Sequence, residues 1–308
     1  MGDDRPRITV VGSSNMDLVV KSQRIPAVGE TILGGDFIMV PGGKGANQAV
    51  AAAKLGADVF FVARLGRDIF AAHSFANFKD VGVNTKYVLE TDDAPSGVAL
   101  IMVDEKGNNS IVVAPGANAR LTPQDVESAR DDIAASGAVV AQLEVPIETV
   151  EAAAKLAESL SVPFILDPAP ACELSAELLA RVTVLTPNES EAQLLTGIEV
   201  TDEASARKAC EALMSRGVGK VILTMGSQGY LLADADSAEF VASHKMDAVD
   251  STAAGDAFTG SLAVGIARAK TLADAAAYAN CVAALSVTRM GAQPSMPTLE
   301  EVVEFMSR

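Results

Sequence analysis

Short apolar, β-branched runs alternate with amphipathic stretches along much of the chain. Ile8-Thr9-Val10-Val11 closes on Gly12 and reads as a buried parallel strand. Residues 17–40 hold shorter strand-like pieces, Asp17 to Val20 and Phe37 to Val40, separated by Pro26, Gly29, Gly34 and Gly35. Residues 45–56 place Ala46, Ala49, Val50, Ala53 and Leu55 at helical spacing, with Gly56 as the stop. A second strand-rich patch spans 96–113. There Val98 through Val103 are all apolar, and Ser110-Ile111-Val112-Val113 follows the turn residues Gly107-Asn108-Asn109. Neither run alternates, so both faces of such a sheet want cover. Two readings fit: ordinary core strands, or a small sheet built from 15–42 and 96–113 that projects over a cleft and packs on a second copy. Periodicity alone does not choose between them.

From residue 121 the two periods take turns. Helical stripes cover 121–136, 147–160, 175–182, 189–197 and 204–217, and further helices begin near 255, 272 and 298. Strands are predicted at 138–143, 164–166, 184–186 and 221–223, with a pair near 230–244. This alternation specifies an α/β fold, a doubly wound and mostly parallel sheet flanked by helices. No repeat, low-complexity tract or linker interrupts it, so residues 1–308 are expected to form a single domain.

Composition narrows the partners. Of 308 residues, 49% are hydrophobic and 21% charged, which excludes a disordered or fibrous chain. Lys and Arg number 24 against 40 Asp and Glu, a net charge of −16. Such a chain has no overall field to gather nucleic acid or anionic lipid, so phosphate groups must be held by local devices such as helix N-termini. Cys172, Cys210 and Cys281 are far apart and form no C-x-x-C, as in a reduced interior. Met1 to Pro6 is acidic and lacks an apolar signal region, and no window nears ~18 apolar residues. A soluble, cytoplasmic protein with no membrane partner is expected.

In open α/β sheets ligands bind beyond the carboxyl ends of the strands. Those ends are polar here: Ser13-Ser14-Asn15-Met16-Asp17, Gln142-Leu143-Glu144, Asp167-Pro168, Thr186-Pro187-Asn188-Glu189 and Thr224-Met225-Gly226-Ser227. Asp250-Ser251-Thr252-Ala253-Ala254-Gly255-Asp256 leads small residues into an amphipathic helix, which presents unpaired amides and the positive end of the helix dipole. Asp256 is explained by the general preference for acids at helix starts. It also fits a base beside an anion hole, taking a proton from a hydroxyl that attacks phosphorus.

Pro41-Gly42-Gly43-Lys44-Gly45-Ala46-Asn47-Gln48 is a second glycine-rich turn at a helix start. It allows backbone to approach a ligand closely, or is a turn with a solvated lysine. It is not a Walker A loop. Dinucleotide, nucleophile-elbow and zinc-protease signatures are also missing, and His73 and His244 are isolated. Asn188 and Glu191 share a helix face, as a simple cap or as water-mediated contacts to Mg²⁺.

Five ordered motifs resemble the ribokinase family, within the phosphofructokinase-B group of carbohydrate kinases. They are Gly12 to Asp17, Gly42 to Ala49, Thr186 to Glu191, Asp250 to Asp256 and Gly291-Ala292-Gln293-Pro294-Ser295. The similarity runs from about residue 8 to the C-terminal helix. The resemblance implies ATP-dependent phosphorylation of D-ribose at O5, with Asp256 as base and the amides of Ala254, Gly255 and Asp256 as anion hole. It implies sugar contacts from Asn15, Asp17, Gly43, Lys44, Asn47 and Glu144. Asn188, Thr224, Gly226, Ser227, Gly229 and Asn280 match positions lining the nucleotide, and Glu191 with Asn188 would act on Mg²⁺ through water. Asp250, Thr252, Ser286, Arg289, Gly291 and Ser295 match a site for a monovalent cation, usually K⁺. The strand-rich patches match a lid that closes over the sugar and clasps a second subunit, giving a homodimer. Two departures stand out: Ala257 where many relatives carry a hydroxyl, and Gln228 where arginine is frequent.

A sibling kinase acting on deoxyribose, fructose or a nucleoside is the nearest alternative. A non-catalytic sugar or nucleotide sensor on the same fold is the alternative from another class.

Overall fold

The computed structural model describes residues 5–307, so Met1 to Asp4, expected above to lack a signal region, lie outside the described residues. The chain opens with β1 (Arg7–Val11), β2 (Asn15–Lys21), β3 (Phe37–Gly42) and α1 (Lys44–Lys54). β4 (Asp58–Gly66), α2 (Ile69–Val81) and β5 (Asn84–Thr91) follow, all outside the elements predicted above. Next come β6 (Gly97–Val103), β7 (Asn109–Ala114), α3 (Pro123–Ser128), α4 (Arg130–Ala134), β8 (Ala138–Ala141) and α5 (Ile147–Ser159). β9 (Phe164–Leu166), α6 (Ala176–Leu179), β10 (Val184–Leu185), α7 (Glu189–Thr196) and α8 (Glu203–Ser215) continue the alternation. The chain ends with β11 (Val221–Thr224), β12 (Gly229–Ala233), β13 (Ala238–Ala242), α9 (Ala254–Ala267), α10 (Leu272–Ser286) and α11 (Leu299–Met306).

Nine strands form one sheet in the order β13-β12-β11-β10-β9-β8-β1-β4-β5, parallel except where β12 meets its two neighbours. Helices cover both faces. Val11, Val62, Val139 and Leu166 pack under α3 to α8, while Ile8, Val10, Phe61 and Ile165 pack under α1, α2, α9 and α10. The alanines of α1 suit this packing because they let the helix lie flat between sheet and neighbour. Gly260 lets α9 come closer still: a Cβ there would stand 2.6 Å from the Gln48 carbonyl oxygen. That approach brings the polar start of α1 against the start of α9.

β3-β2-β6-β7 form the second sheet, with β2 and β6 parallel and both outer pairs antiparallel. One face is uncovered in the single chain. Phe37, Met39, Leu100 and Val112 share it by register and are exposed between 46% and 62%, while Ile111 and Val113 lie on the opposite face.

Several boundaries differ from expectation. The helix expected over 121–136 is two, because Thr122 caps α3 with a capping box and Ala129 leaves helical geometry between them. The helix expected over 175–182 is the single turn α6, and the strand expected over 138–143 ends at Ala141, leaving Gln142 and Glu144 beyond the sheet. Among the described residues no helix is long and apolar enough to cross a membrane.

Candidate active site

β1 lies between β4 and β8, and the chain runs away from it to both sides, so the strand order reverses between β1 and β8. A crevice opens beyond their carboxyl ends. Ser13 Oγ donates across it to Glu144 Oε2, which also accepts the Lys44 amide at 3.1 Å. Gly43 makes this turn possible: its φ is 88°, and a Cβ would lie 2.6 Å from the Asn15 nitrogen. The crevice wall and the start of α1 are thus tied at one carboxylate.

Asn15 begins β2 at the crevice edge. Its Oδ1 accepts Asn118 Nδ2 at 2.7 Å, while Asn118 Oδ1 accepts the Ser14 amide at 2.9 Å. The Asn15 amide group is therefore oriented with Nδ2 toward the crevice. Asp17, two residues on, is pushed up to about 7 by burial, then by the negative charges of Glu144 and Asp256. Lys44 is surrounded by carboxylates. Burial pulls its ammonium down, but Asp167, Asp256, Glu144 and Glu191 together hold it above its ordinary value.

α9 begins after Ala253, which adopts a left-handed conformation with φ 60°. The Ala254 amide is taken by the Ser251 carbonyl at 3.2 Å; those of Gly255 and Asp256 have no protein acceptor among the described residues. Asp256 is 5% exposed, and both its oxygens are held from α1. Asn47 Nδ2 donates to Oδ2 at 2.8 Å and Gln48 Nε2 to Oδ1 at 3.1 Å. Gln48 Nε2 also donates to Asp167 Oδ2 at 2.7 Å, and its Oε1 accepts Gln142 Nε2 at 2.6 Å. Burial pushes the Asp167 carboxyl up, with the Lys44 charge opposing it.

Asn188 and Glu191 adopt the capping arrangement. Asn188 Oδ1 accepts the Glu191 amide at 2.9 Å, and the Glu191 carboxylate accepts the Asn188 amide at 2.8 Å and its Nδ2 at 2.9 Å. Glu191 is nonetheless pushed up by burial beyond what Asn188 and Lys44 counteract, and Asp256 adds to the push. The cap therefore faces the same charge cluster. Thr224 pairs with Asn188 in an isolated bridge at the end of β11. Gly226 and Ser227 form a tight turn, closed by the Met225 amide on the Gly229 carbonyl at 2.8 Å. Asn280 Nδ2 donates to Ala242 O at 2.9 Å and lines a cavity of about 510 Å³ with His244 and Cys281.

The six residues expected at a monovalent cation gather between the start of α9 and the end of α10. Asp250 Oδ1 accepts the Thr252 amide at 2.9 Å and its Oγ1 at 2.6 Å, and Oδ2 accepts the Gly291 amide at 2.8 Å. The Arg289 amide bonds Ser286 O at 3.3 Å, while its guanidinium turns to Glu301 at 2.6 and 3.0 Å. The Ser286 and Ser295 hydroxyls return to carbonyls of their own turns.

Sequence reasoning quoted Gln48, Gln142 and Asp167 without a role, although two of them end strands and the third adjoins Asn47. Nothing in the sequence singles out Asn118; it sits in a short 3-10 helix, Gly116–Arg120, after β7. Of the two departures, Ala257 is fully buried in the core, and the Gln228 amide closes the turn on Met225 O at 3.0 Å.

The chain matches the pfkB family carbohydrate kinase profile over residues 5–299. It is 42% identical over 300 residues to a ribokinase of Bacillus subtilis, covering 97% of this chain and 99% of that protein. It is 38% identical over 301 residues to a deoxyribokinase of Salmonella typhi, covering 97% and 98%. Among solved structures, Arabidopsis thaliana ribokinase complexed with ribose and ATP superposes with a TM-score of 0.92 at 33% identity, covering 99% of each chain. The chain, with its crevice at the strand-order reversal and its open amides at the start of α9, belongs to the pfkB family of carbohydrate kinases.

Proposed function

We propose that this protein transfers the γ-phosphoryl group of ATP to the 5-hydroxyl of D-ribose. The observation that carries the reading is Asp256: a buried carboxylate, gripped at both oxygens, beside two backbone amides with no protein acceptor among the described residues. A hydroxyl placed on that carboxylate loses its proton as it attacks phosphorus, and negative charge growing on the phosphoryl oxygens meets the Gly255 and Asp256 amides. General-base assistance of this type is worth about 10²–10⁴-fold, and each preorganised donor adds several kcal/mol in a dry site. The similarity to ribokinases over nearly the whole chain supports ribose as the sugar.

Asn15, Asp17, Gly43, Lys44, Asn47 and Glu144 surround the sugar in this reading. Paired carboxylates suit vicinal hydroxyls, since each accepts with charge-assisted strength. Asn188, Thr224, Gly226, Ser227, Gly229 and Asn280 line the nucleotide. The donor set fits a divalent cation arriving with it: Asp167, Glu191 and Asp256 outnumber the one ammonium, Lys44, that shares their field. Asn188 and Glu191 would hold Mg²⁺ through water, and Mg²⁺ supplies charge neutralisation to the phosphates. The loops joined by Asp250 would hold K⁺, mostly through carbonyls. The small sheet acts as a lid, and its exposed apolar face is the clasp of a homodimer.

A coupled assay of ADP release, run with ribose, deoxyribose, fructose and a nucleoside, tests the reading. The expected result is the highest kcat/KM for ribose, and loss of turnover with retained ribose binding in Asp256→Asn. A higher kcat/KM for deoxyribose moves the protein to the sibling activity, which its similarity to a deoxyribokinase keeps in view. Ribose binding without any phosphosugar product identifies a sensor instead.

A further inference from the structure

Gln48 is fully buried at the start of α1 and touches no open space where a sugar or nucleotide could sit. Its side chain nevertheless joins three groups. Nε2 donates to Asp256 Oδ1 at 3.1 Å and to Asp167 Oδ2 at 2.7 Å, and Oε1 accepts Gln142 Nε2 at 2.6 Å. An amide nitrogen has two hydrogens, and both are used on carboxylates from different elements, one at the end of β9 and one in the first turn of α9. The opposite orientation of the amide would aim a carbonyl oxygen at two carboxylates, so the bond from Gln142 fixes the only favourable one.

We infer that Gln48 is a positioning residue for phosphoryl transfer: its amide clamps the Asp256 carboxylate to Asp167 and so fixes which lone pair of the base faces the acceptor hydroxyl. The inference rests on the reading of Asp256 as the base. With Asn47 holding Oδ2 and Gln48 holding Oδ1, rotation of the carboxylate about its own axis breaks at least one bond. A base that can rotate loses the near-attack geometry on which intramolecular catalysis depends. The neutral side chain matters too. Asp167 and Asp256 share a buried region with Glu191 from α7, Glu144 beyond β8 and Asp17 from β2, against Lys44 alone. A charged residue at position 48 adds to that imbalance, whereas an amide bridges two acceptors at no cost in charge.

Two variants test this, each measured for kcat, KM, ribose binding by calorimetry, and thermal melting. Gln48→Met keeps the volume and removes both donated bonds. Its kcat should fall about 100-fold while the ribose dissociation constant stays within about threefold. Gln48→Glu keeps the shape but can donate only when protonated, and then only one hydrogen. Its kcat should rise as pH falls from about 8 to 6, opposite to an enzyme whose base becomes protonated. A folded Gln48→Met with kcat within threefold of the parent overturns the inference, as does a Gln48→Glu profile parallel to the parent's. Should Gln48→Met fail to fold, the Gln48→Glu profile decides. A parent that releases no ADP with any sugar sinks the functional reading and this inference together; an active parent with an unaffected variant sinks this inference alone.

Discussion

Asn118 donates through Nδ2 to Asn15 Oδ1 at 2.7 Å, although the two are 103 residues apart in the chain. The contact decides which end of the Asn15 amide reaches the crevice. Asn118 Oδ1 accepts the Ser14 amide, so it cannot flip without leaving two buried groups unpaired. Asn118→Leu should therefore release Asn15 and raise the KM for ribose about 10-fold or more while kcat changes little. A matching drop in kcat, with KM unchanged, would show instead that Asn118 serves the chemical step.

Asp17 carries a stability cost that follows from its position. Its carboxyl is pushed up to about 7 by burial and by Glu144 and Asp256. The folded protein then holds a proton that the unfolded chain has released, so sugar-free stability falls as pH rises from about 4 to 7. Because Asp17 retains partial exposure, the loss is smaller than a buried carboxyl would give, on the order of 1–3 kcal/mol. Asp17→Asn should melt higher than the parent at pH 8 by a few degrees, with the advantage shrinking toward pH 4, yet bind ribose more weakly. Melting curves at both pH values check it, and an Asp17→Asn that melts lower at pH 8 contradicts it.

Much of this site is written in local sequence, and the remainder depends on long-range packing. Gly43, Lys44 and Asn47 declare themselves by glycine density at a helix start, and Asp256 by its place in the first turn of α9. The sheet from β8 onward is equally plain, because strands and helices change period at short intervals. What sequence leaves out is what the residues meet. Gln48 and Asp256 are 208 residues apart and bond only because α1 and α9 cross closely at Gly260. Asn118 lies in a 3-10 helix too short to show periodicity, and its role comes wholly from that segment returning beside the start of β2. The exposed face of the small sheet is the reverse case: Val98 to Val103 lack alternation in the sequence, and the structure leaves Leu100 on that face 52% exposed.

That face gives a prediction about assembly. Phe37, Leu100 and Val112 stand exposed by 56%, 52% and 62% on one face of a sheet whose edges are the short strands β3 and β7. An apolar face of this kind favours a partner sheet over water. Sedimentation velocity should give a dimer for the parent and a monomer for Val112→Lys combined with Leu100→Lys, with the melting of the nine-stranded sheet little changed. A parent that sediments as a monomer at micromolar concentration removes the proposed clasp.

The loop held by Asp250 yields the prediction that separates cation dependence from folding. Its carboxyl is kept below the ordinary carboxylate value: burial works against the charge, but the Thr252 hydroxyl, the Gly291 amide and the Thr252 amide outweigh it. A depressed carboxyl stabilises the folded state above its unfolded pKa, and that stability is lost as pH falls through the folded value. Asp250→Asn should thus melt slightly lower than the parent at pH 7 and no lower at pH 3. Its larger effect is on the loop that links Thr252 to Gly291. In the parent, replacing Na⁺ by K⁺ should raise kcat several-fold, because carbonyls gathered by a cation shape the turn that carries the Gly255 and Asp256 amides. In Asp250→Asn the two ions should give the same kcat. Equal rates in Na⁺ and K⁺ for the parent would remove the monovalent site while leaving Asp256 and its amides in place.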